Sequence, residues 1–293
     1  MRIVFIVAAH KLPEQLSRLV KRLAVRGHSV LIHVDKKTKR SVFDEMLGGC
    51  AGAPNTQFMS SRHTCYWCGF GTVLATIDGL RAAVQLNTDF DFVFYLTGQC
   101  YPLISMAGIE AKLQEIGEQS IISCFPMPIP WWPNGGMDNL QNRHFRIGSR
   151  LVVAPAPGTS WKRKLLNLIF QRRPYLRGLQ PFYGSAFWVL HRSAVDFVLN
   201  FLRSRPDVLH YYKYSLIPDE MIFNTIIGNS DLPIINDGPH YIWFQPNNTG
   251  HPDILTAADY PTLLQSNKMF ARKFDQTIDE SILTLLDTHA DEQ

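Results

Sequence analysis

An α/β fold with a mainly parallel central sheet and helices on both faces is the class this chain predicts. Two continuous apolar runs, IVFIVAA near the start and FVFYL near residue 94, have the length and composition of fully buried strands. Between and after them, segments of helical period alternate with further strand-like runs, the pattern of strand–helix–strand units. At 293 residues, 46% hydrophobic and 18% charged, the chain is long and apolar enough to bury one large core.

Residues 2–9 read as the first strand, and residues 13–26 as a helix with Leu16, Leu19, Val20 and Leu23 on one face. Residues 28–34 form a second strand, ending in His33-Val34-Asp35, and residues 56–60 a third. A helix over 71–85 precedes the buried strand 91–96. Parallel sheets bind ligands beyond the carboxyl ends of their strands, which marks His10, His33, Asp35 and the Thr97-Gly98-Gln99 turn as edge residues. Further on, residues 125–136 are rich in Pro yet carry paired tryptophans, and residues 161–171 make a basic amphipathic helix. Residues 182–190 return to strand, Ser193 caps a helix through Leu202, and residues 218–227 are helical. A short strand over 241–244 and an amphipathic helix from Thr277 complete the chain. Neither an internal repeat nor a low-complexity tract divides it, so a single domain over 1–293 is expected.

The longest apolar runs fall well short of the ~20 residues that a membrane span needs. Ile3–Ala9 is read as strand rather than export signal, because His10, Lys11 and Pro13 follow at once. The Asn247-Asn248-Thr249 sequon is then without consequence. Five cysteines are odd in number and mostly scattered; Cys65-Tyr-Trp-Cys68 has no second pair to complete a zinc site. Free thiols in a reducing cytosol are expected. The net charge of +4 hides an asymmetry: residues 139–195 hold ten Lys or Arg and no Asp or Glu. Taking ten from +4 leaves the remainder at −6. A basic field of this kind draws nucleotide phosphates, acidic glycans, lipid headgroups or nucleic acid.

No GxGxxG follows the first strand, and neither GxxxxGK[ST] nor Gly-x-Ser-x-Gly occurs. Asp89-Phe90-Asp91 has the spacing of a metal pair but precedes a strand, the wrong edge of a parallel sheet, and is expected as a surface turn. Glu220, in IPDEMIFNTII, is the best general-base candidate, since one positioned carboxylate suffices to take an acceptor's proton. Ordinary capping at a helix start explains the same Pro-Asp-Glu. Lys268, Arg272 and Lys273, in SNKMFARKFD, form a candidate anion clamp or else a solvated face. Trp67, Trp131, Trp132, Tyr241 and Trp243 lie in or beside loops, where flat rings stack on a base or sugar unless they serve the core.

Taken together, these segments resemble glycosyltransferase family 14, which holds the core-2 and I-branching β-1,6-N-acetylglucosaminyltransferases and the peptide O-xylosyltransferases. The matching stretches are IVAAHK, LIHVDKKT, CYWCGFGTVLATIDGL, DFDFVFYLTGQCYPL, FYGSAFWVLHRSAVDFVL, IPDEMIFNTIIGNS and HPDILTAADYPTLLQSNKMFARKFD. Their order and spacing, closing on FARKFD, carry the match through nearly the whole chain. The resemblance implies a GT-A-like nucleotide-sugar-binding fold, inversion at the sugar carbon, a UDP-sugar donor and no metal. It gives Glu220 the base role and Lys273 the diphosphate; His10 and Asp35 fall where the nucleoside is held, and Trp67 near the uracil. For a second cation on the diphosphate, His251 and Arg272 both stand open. On this reading residues 1–124 are a nucleotide-binding half and residues 125–293 an acceptor-binding and catalytic half. The aromatic acceptor candidates are Trp131, Trp132, Tyr241 and Trp243.

The expectation is therefore a bacterial-type, cytoplasmic, inverting and metal-independent transferase moving GlcNAc or xylose from UDP to a glycan or lipid-linked glycan. A non-catalytic carbohydrate- or nucleotide-binding protein is the alternative, and no nucleic-acid module is recognisable. Between Trp161 and Arg177, Lys162, Arg163, Lys164, Arg172 and Arg173 surround Leu165, Leu166, Leu168, Ile169 and Phe170. Such a segment either lies on an anionic membrane surface or covers the core as a solvated helix.

Overall fold

A computed structural model of the chain describes residues 1–86, 89–148, 150–155, 160–244 and 252–292. Its centre is β1 (Ile3–Ala9), flanked in parallel by β2 (Ser29–Val34) and β4 (Phe92–Thr97), with β3 (Thr56–Phe58) parallel beyond β2. Beyond β4 the sheet continues through an antiparallel Val189–His191, then Ser120–Ile121 and Ile234–Ile235, making seven strands. Strands β1, β2 and β4 are almost wholly buried, as unbroken apolar runs require. A second, three-stranded sheet carries Phe270–Arg272 between Cys100–Pro102 and His240–Ile242. This small sheet brings residues some 170 positions apart to the end of β4.

Helix α1 (Pro13–Leu23) buries Leu16, Leu19, Val20 and Leu23, the face that the sequence periodicity predicts. Arg26 and Gly27 are in left-handed conformations, and Arg26 therefore lies outside it. Helix α2 is Arg40–Gly49, and helix α3 (Gly71–Gln85) meets the sheet through Gly79, where an added Cβ would lie 2.7 Å from the Ile6 side chain.

Several expectations need correction. Residues 218–227 are not one helix: a 3₁₀ turn at Pro218–Glu220 is separated from the helix Ile222–Gly228 by Met221 at φ −135°. The turn closes through Glu220 N–H to Ile217 O at 3.1 Å and Met221 N–H to Pro218 O at 3.2 Å. Residues 182–190 split into Phe182–Tyr183, paired with Phe125–Pro126, and Val189–His191 in the main sheet. Gly184 makes the break, for a Cβ there would fall 1.9 Å from the Ser123 carbonyl oxygen. Helix Arg192–Ser204 is capped by His191 rather than Ser193, its Nδ1 accepting from Ser193 N–H at 3.3 Å. The strand placed at 241–244 is His240–Ile242, and the final helix begins at Ser281 rather than Thr277. The sequon and His251 lie outside the described residues.

Gly79→Val should cost about 1–3 kcal/mol of stability, because Ile6 and the strand behind it have no room to give. Gly48→Ala, in the helix Arg40–Gly49 with nothing within 4 Å of an added Cβ, should instead stabilise by about 0.4–1 kcal/mol. Urea midpoints of the two variants check the contrast.

Candidate functional site

A cleft of about 620 Å³ opens at the carboxyl ends of β1, β2 and β4. His10 and Lys11 follow β1 into it, His33 and Asp35 end β2, and Thr97, Gly98 and Gln99 end β4. The edge residues expected from parallel-sheet geometry all line it. Loop residues Cys65 to Cys68 close one side, and Asp219, Pro252, Arg272 and Lys273 close another.

Cations gather in the cleft. Lys11 donates to Asp275 at 2.8 Å, a pair that fastens the end of β1 to the segment after Phe270–Arg272. Burial, then Lys11 and Arg272, holds Lys273 below the ordinary lysine range. Crowded positive charge of this kind is relieved by an anion. The Arg272 guanidinium lies over the Phe187 ring at 4.5 Å, and its buried Nε has no hydrogen-bond partner. Lys268, by contrast, leaves the expected clamp: it ion-pairs with Asp237 at 2.6 Å and also donates to Gly238 O. Lys11 takes the third place, signalled in the sequence only by its position directly after the first strand.

Asp35 is buried at the end of β2 and accepts from Lys37 N–H at 2.8 Å and Lys37 Nζ at 2.6 Å. His10 is lowered first by burial and then by Lys11, so its ring is neutral at neutral pH. His33 is pushed down to about 4 by burial, and its Nε2 accepts from His63 N–H at 2.9 Å. The His63 ring is held by Asp78 at 2.7 Å, which anchors the loop leading to Tyr66 and Trp67. Trp67 is exposed at the lip, where its carbonyl accepts from Arg146 at 2.6 Å. Burial pushes the Cys65 and Cys68 thiols up to about 12, so neither offers a thiolate to the cleft.

Two carboxylates stand on the remaining side. Asp219 lines the cleft, its buried Oδ1 lacks a hydrogen-bond partner, and burial pushes it up to about 6. Glu220, the next residue, does not itself line the cleft and is pushed up to about 7 by burial and then by Asp219. The Tyr183 hydroxyl and then Arg272 partly offset the rise. Gly184 N–H donates to the Glu220 carbonyl at 2.9 Å, tying the 3₁₀ turn to the break after Phe182–Tyr183. Asp219 was not singled out by the sequence, although it precedes Glu220; which member of an Asp-Glu pair faces a cavity is set by turn geometry.

None of Trp131, Trp132, Tyr241 and Trp243 lines the cleft itself. Trp132 packs on Tyr183 with ring centroids 4.5 Å apart, and so lies one residue removed from Glu220. Tyr241 pairs with Ala271 beside Arg272 and is half-buried, whereas Trp131 and Trp243 are exposed. Asp89 and Asp91 stand at the amino end of β4, the opposite edge, where Asp91 accepts from Arg2 N–H at 2.7 Å. Among the described residues no group of three or more His, Cys, Asp or Glu is arranged to hold a metal ion.

A family model described as "Core-2/I-Branching enzyme" matches residues 3–263. The chain is 23% identical over 273 residues to beta-glucuronosyltransferase GlcAT14A of Arabidopsis thaliana, covering 89% of this chain and 58% of that protein. It is 23% identical to a xylosyltransferase of Ciona intestinalis, covering 98% of this chain but 34% of that one. A beta-1,3-galactosyl-O-glycosyl-glycoprotein beta-1,6-N-acetylglucosaminyltransferase of Bos taurus is 22% identical, with 97% and 68% covered. The chain thus spans between about a third and two thirds of the length of these relatives. The family model covers most of the sequence, including β1, β2, β4 and the Asp219-Glu220 turn though not Arg272 and Lys273, and the chain belongs to the core-2/I-branching enzyme family.

Proposed function

We propose that the protein is an inverting, metal-independent glycosyltransferase that moves GlcNAc or xylose from a UDP-sugar to a hydroxyl of a glycan or lipid-linked glycan. The observation carrying this reading is one cleft that joins the Asp219-Glu220 turn to the cations Lys11, Arg272 and Lys273. In the proposed step Glu220 accepts the acceptor's hydroxyl proton as that oxygen bonds to the anomeric carbon. The bond from that carbon to the UDP oxygen breaks on the opposite face, and its electron pair leaves with UDP. Lys273 and Arg272 meet the charge that develops there, mainly in the transition state.

Further features support the finer parts of the reading. Asp89 and Asp91 are at the far edge of the sheet, so the diphosphate charge falls to side chains of the cleft. Two carboxyls on the sugar side of the proposed site disfavour a uronate donor, which favours GlcNAc or xylose over glucuronate. His10, Asp35 and Trp67, around the other part of the cleft, suit a nucleoside. The five free cysteines favour a reducing compartment, and we place the protein in the cytoplasm.

Glu220→Gln should lower turnover by about 10²–10⁴-fold while leaving binding of UDP unchanged. Substantial turnover by that variant would remove the base assignment; UDP binding with no turnover in the native chain would favour a non-catalytic binding protein.

With Glu220 at about 7, kcat should rise with pH and level off above that value, because the base acts only when deprotonated. Stability should move the opposite way. Both carboxyls hold their protons more tightly folded than unfolded, so this contribution is full below about pH 4 and is lost as pH rises through about 6 and 7. Paired pH profiles of kcat and of thermal midpoint, for native and Glu220→Gln protein, check both signs.

A further inference from the structure

The helix Trp161–Ile169 has no buried residue. Trp161, Leu165, Leu168 and Ile169 are 69, 51, 73 and 65% exposed. At spacings of four, three and one they share a face of the helix, which is turned away from the core. Lys162, Arg163 and Lys164 are exposed beside it, with the Lys162 ammonium 5.7 Å from the Trp161 ring. A helix that covered the core would bury those apolar side chains; this one presents them. Contiguous exposed apolar surface rimmed by charge marks a docking site.

Charge selects the occupant. Several of the ten basic residues in 139–195 are committed within the protein: Arg172 to Asp138, Arg192 to Asp196, and Arg173 to the carbonyls of Tyr211, Leu140 and Asn142. The exposed face carries Lys162, Arg163 and Lys164 beside it, and the whole stretch 139–195 holds no Asp or Glu, so a second copy docked through this face would bring like charge against like. An anionic bilayer brings complementary charge and an apolar interior together. Among the described residues no helix is long and apolar enough to cross a membrane, so the contact is one of lying on the surface.

The same helix is connected to the cleft. Phe170, directly after it, packs on Phe145 with centroids 5.0 Å apart, and Arg143 donates to Gln171 O at 2.7 Å. Arg143 and Phe145 belong to the hairpin of Arg143–Ile147 with Arg150–Ala154. From that hairpin Arg146 reaches the Trp67 carbonyl and lies over the Tyr66 ring at 5.0 Å, at the cleft lip.

We propose that the helix Trp161–Ile169 docks on an anionic lipid surface and that the hairpin holds the cleft in fixed relation to it, so that the acceptor is a membrane-borne glycan. Docking stands by itself, whereas the acceptor class rests on the transferase reading above. Flotation of the full chain with vesicles of phosphatidylcholine, alone or mixed with phosphatidylglycerol, tests the docking. About tenfold or greater preference for the anionic vesicles is expected. Leu168→Glu should reduce it about tenfold, as should Lys162→Glu with Lys164→Glu. Each variant's thermal midpoint without lipid should match the native chain, as befits substitutions on an exposed face. Equal recovery on both vesicle types, no flotation, or a Leu168→Glu protein that floats unimpaired would overturn the proposal. So would concentration-dependent self-association abolished by Leu168→Glu, which would give the face to a second copy. Since flotation involves neither donor nor turnover, its result is separate from that of the enzyme assays.

Discussion

Arg272 is fixed by two neighbours at once, pairing with Cys100 on one side and Ile242 on the other, while its guanidinium rests on the Phe187 ring. From there it acts on both signs of charge in the cleft. It tempers the rise of Asp219 and Glu220 and helps to depress Lys273, the next residue along the chain. Without that positive charge, burial would push both carboxyls still higher. The three-stranded sheet is thus more than a cover for the end of β4. It delivers two adjacent cations to the cleft wall, close to the two raised carboxyls.

The main sheet sets the stage on which this happens. Three buried parallel strands end together, and each contributes cleft residues from its carboxyl end. Because β1 lies between β2 and β4, residues of one cleft wall come from three separate stretches of sequence, which helices α1 and α3 hold in register. Long-range bonds then close the assembly: Lys11 to Asp275, and Gln15 to the carbonyls of Gly98 and Phe274. These bonds link the carboxyl ends of β1 and β4 to the segment carrying Lys273, so the cleft is formed by contacts spanning most of the chain.

How far the sequence reveals this follows from the range of each interaction. The strands β1, β2 and β4, and the buried face of α1, are local periodic patterns, and all are legible. From them the carboxyl-edge rule leads to His10, His33 and Asp35. What escapes is set by distant partners. Lys268 and Lys273 look alike in SNKMFARKFD, yet Asp237, 31 residues earlier, takes Lys268 out of the cleft. Trp131 and Trp132 are equally alike, but only the second meets Tyr183. The break at Gly184 depends on the Ser123 carbonyl, and it divides what reads as a single strand. Asp219 enters the cleft ahead of Glu220 because Ile217 and Met221 adopt unusual angles around a 3₁₀ turn, which no apolar pattern records.

On the proposed function, side chains with no metal bind the diphosphate of a uridine nucleotide in this cleft. Thermal stabilisation by UDP against ADP and GDP, first in EDTA and then with manganese, tests it most directly. Stabilisation selective for UDP and already complete in EDTA is expected. Stabilisation that requires manganese would contradict metal independence, and no shift under either condition would contradict the cation site formed by Arg272 and Lys273.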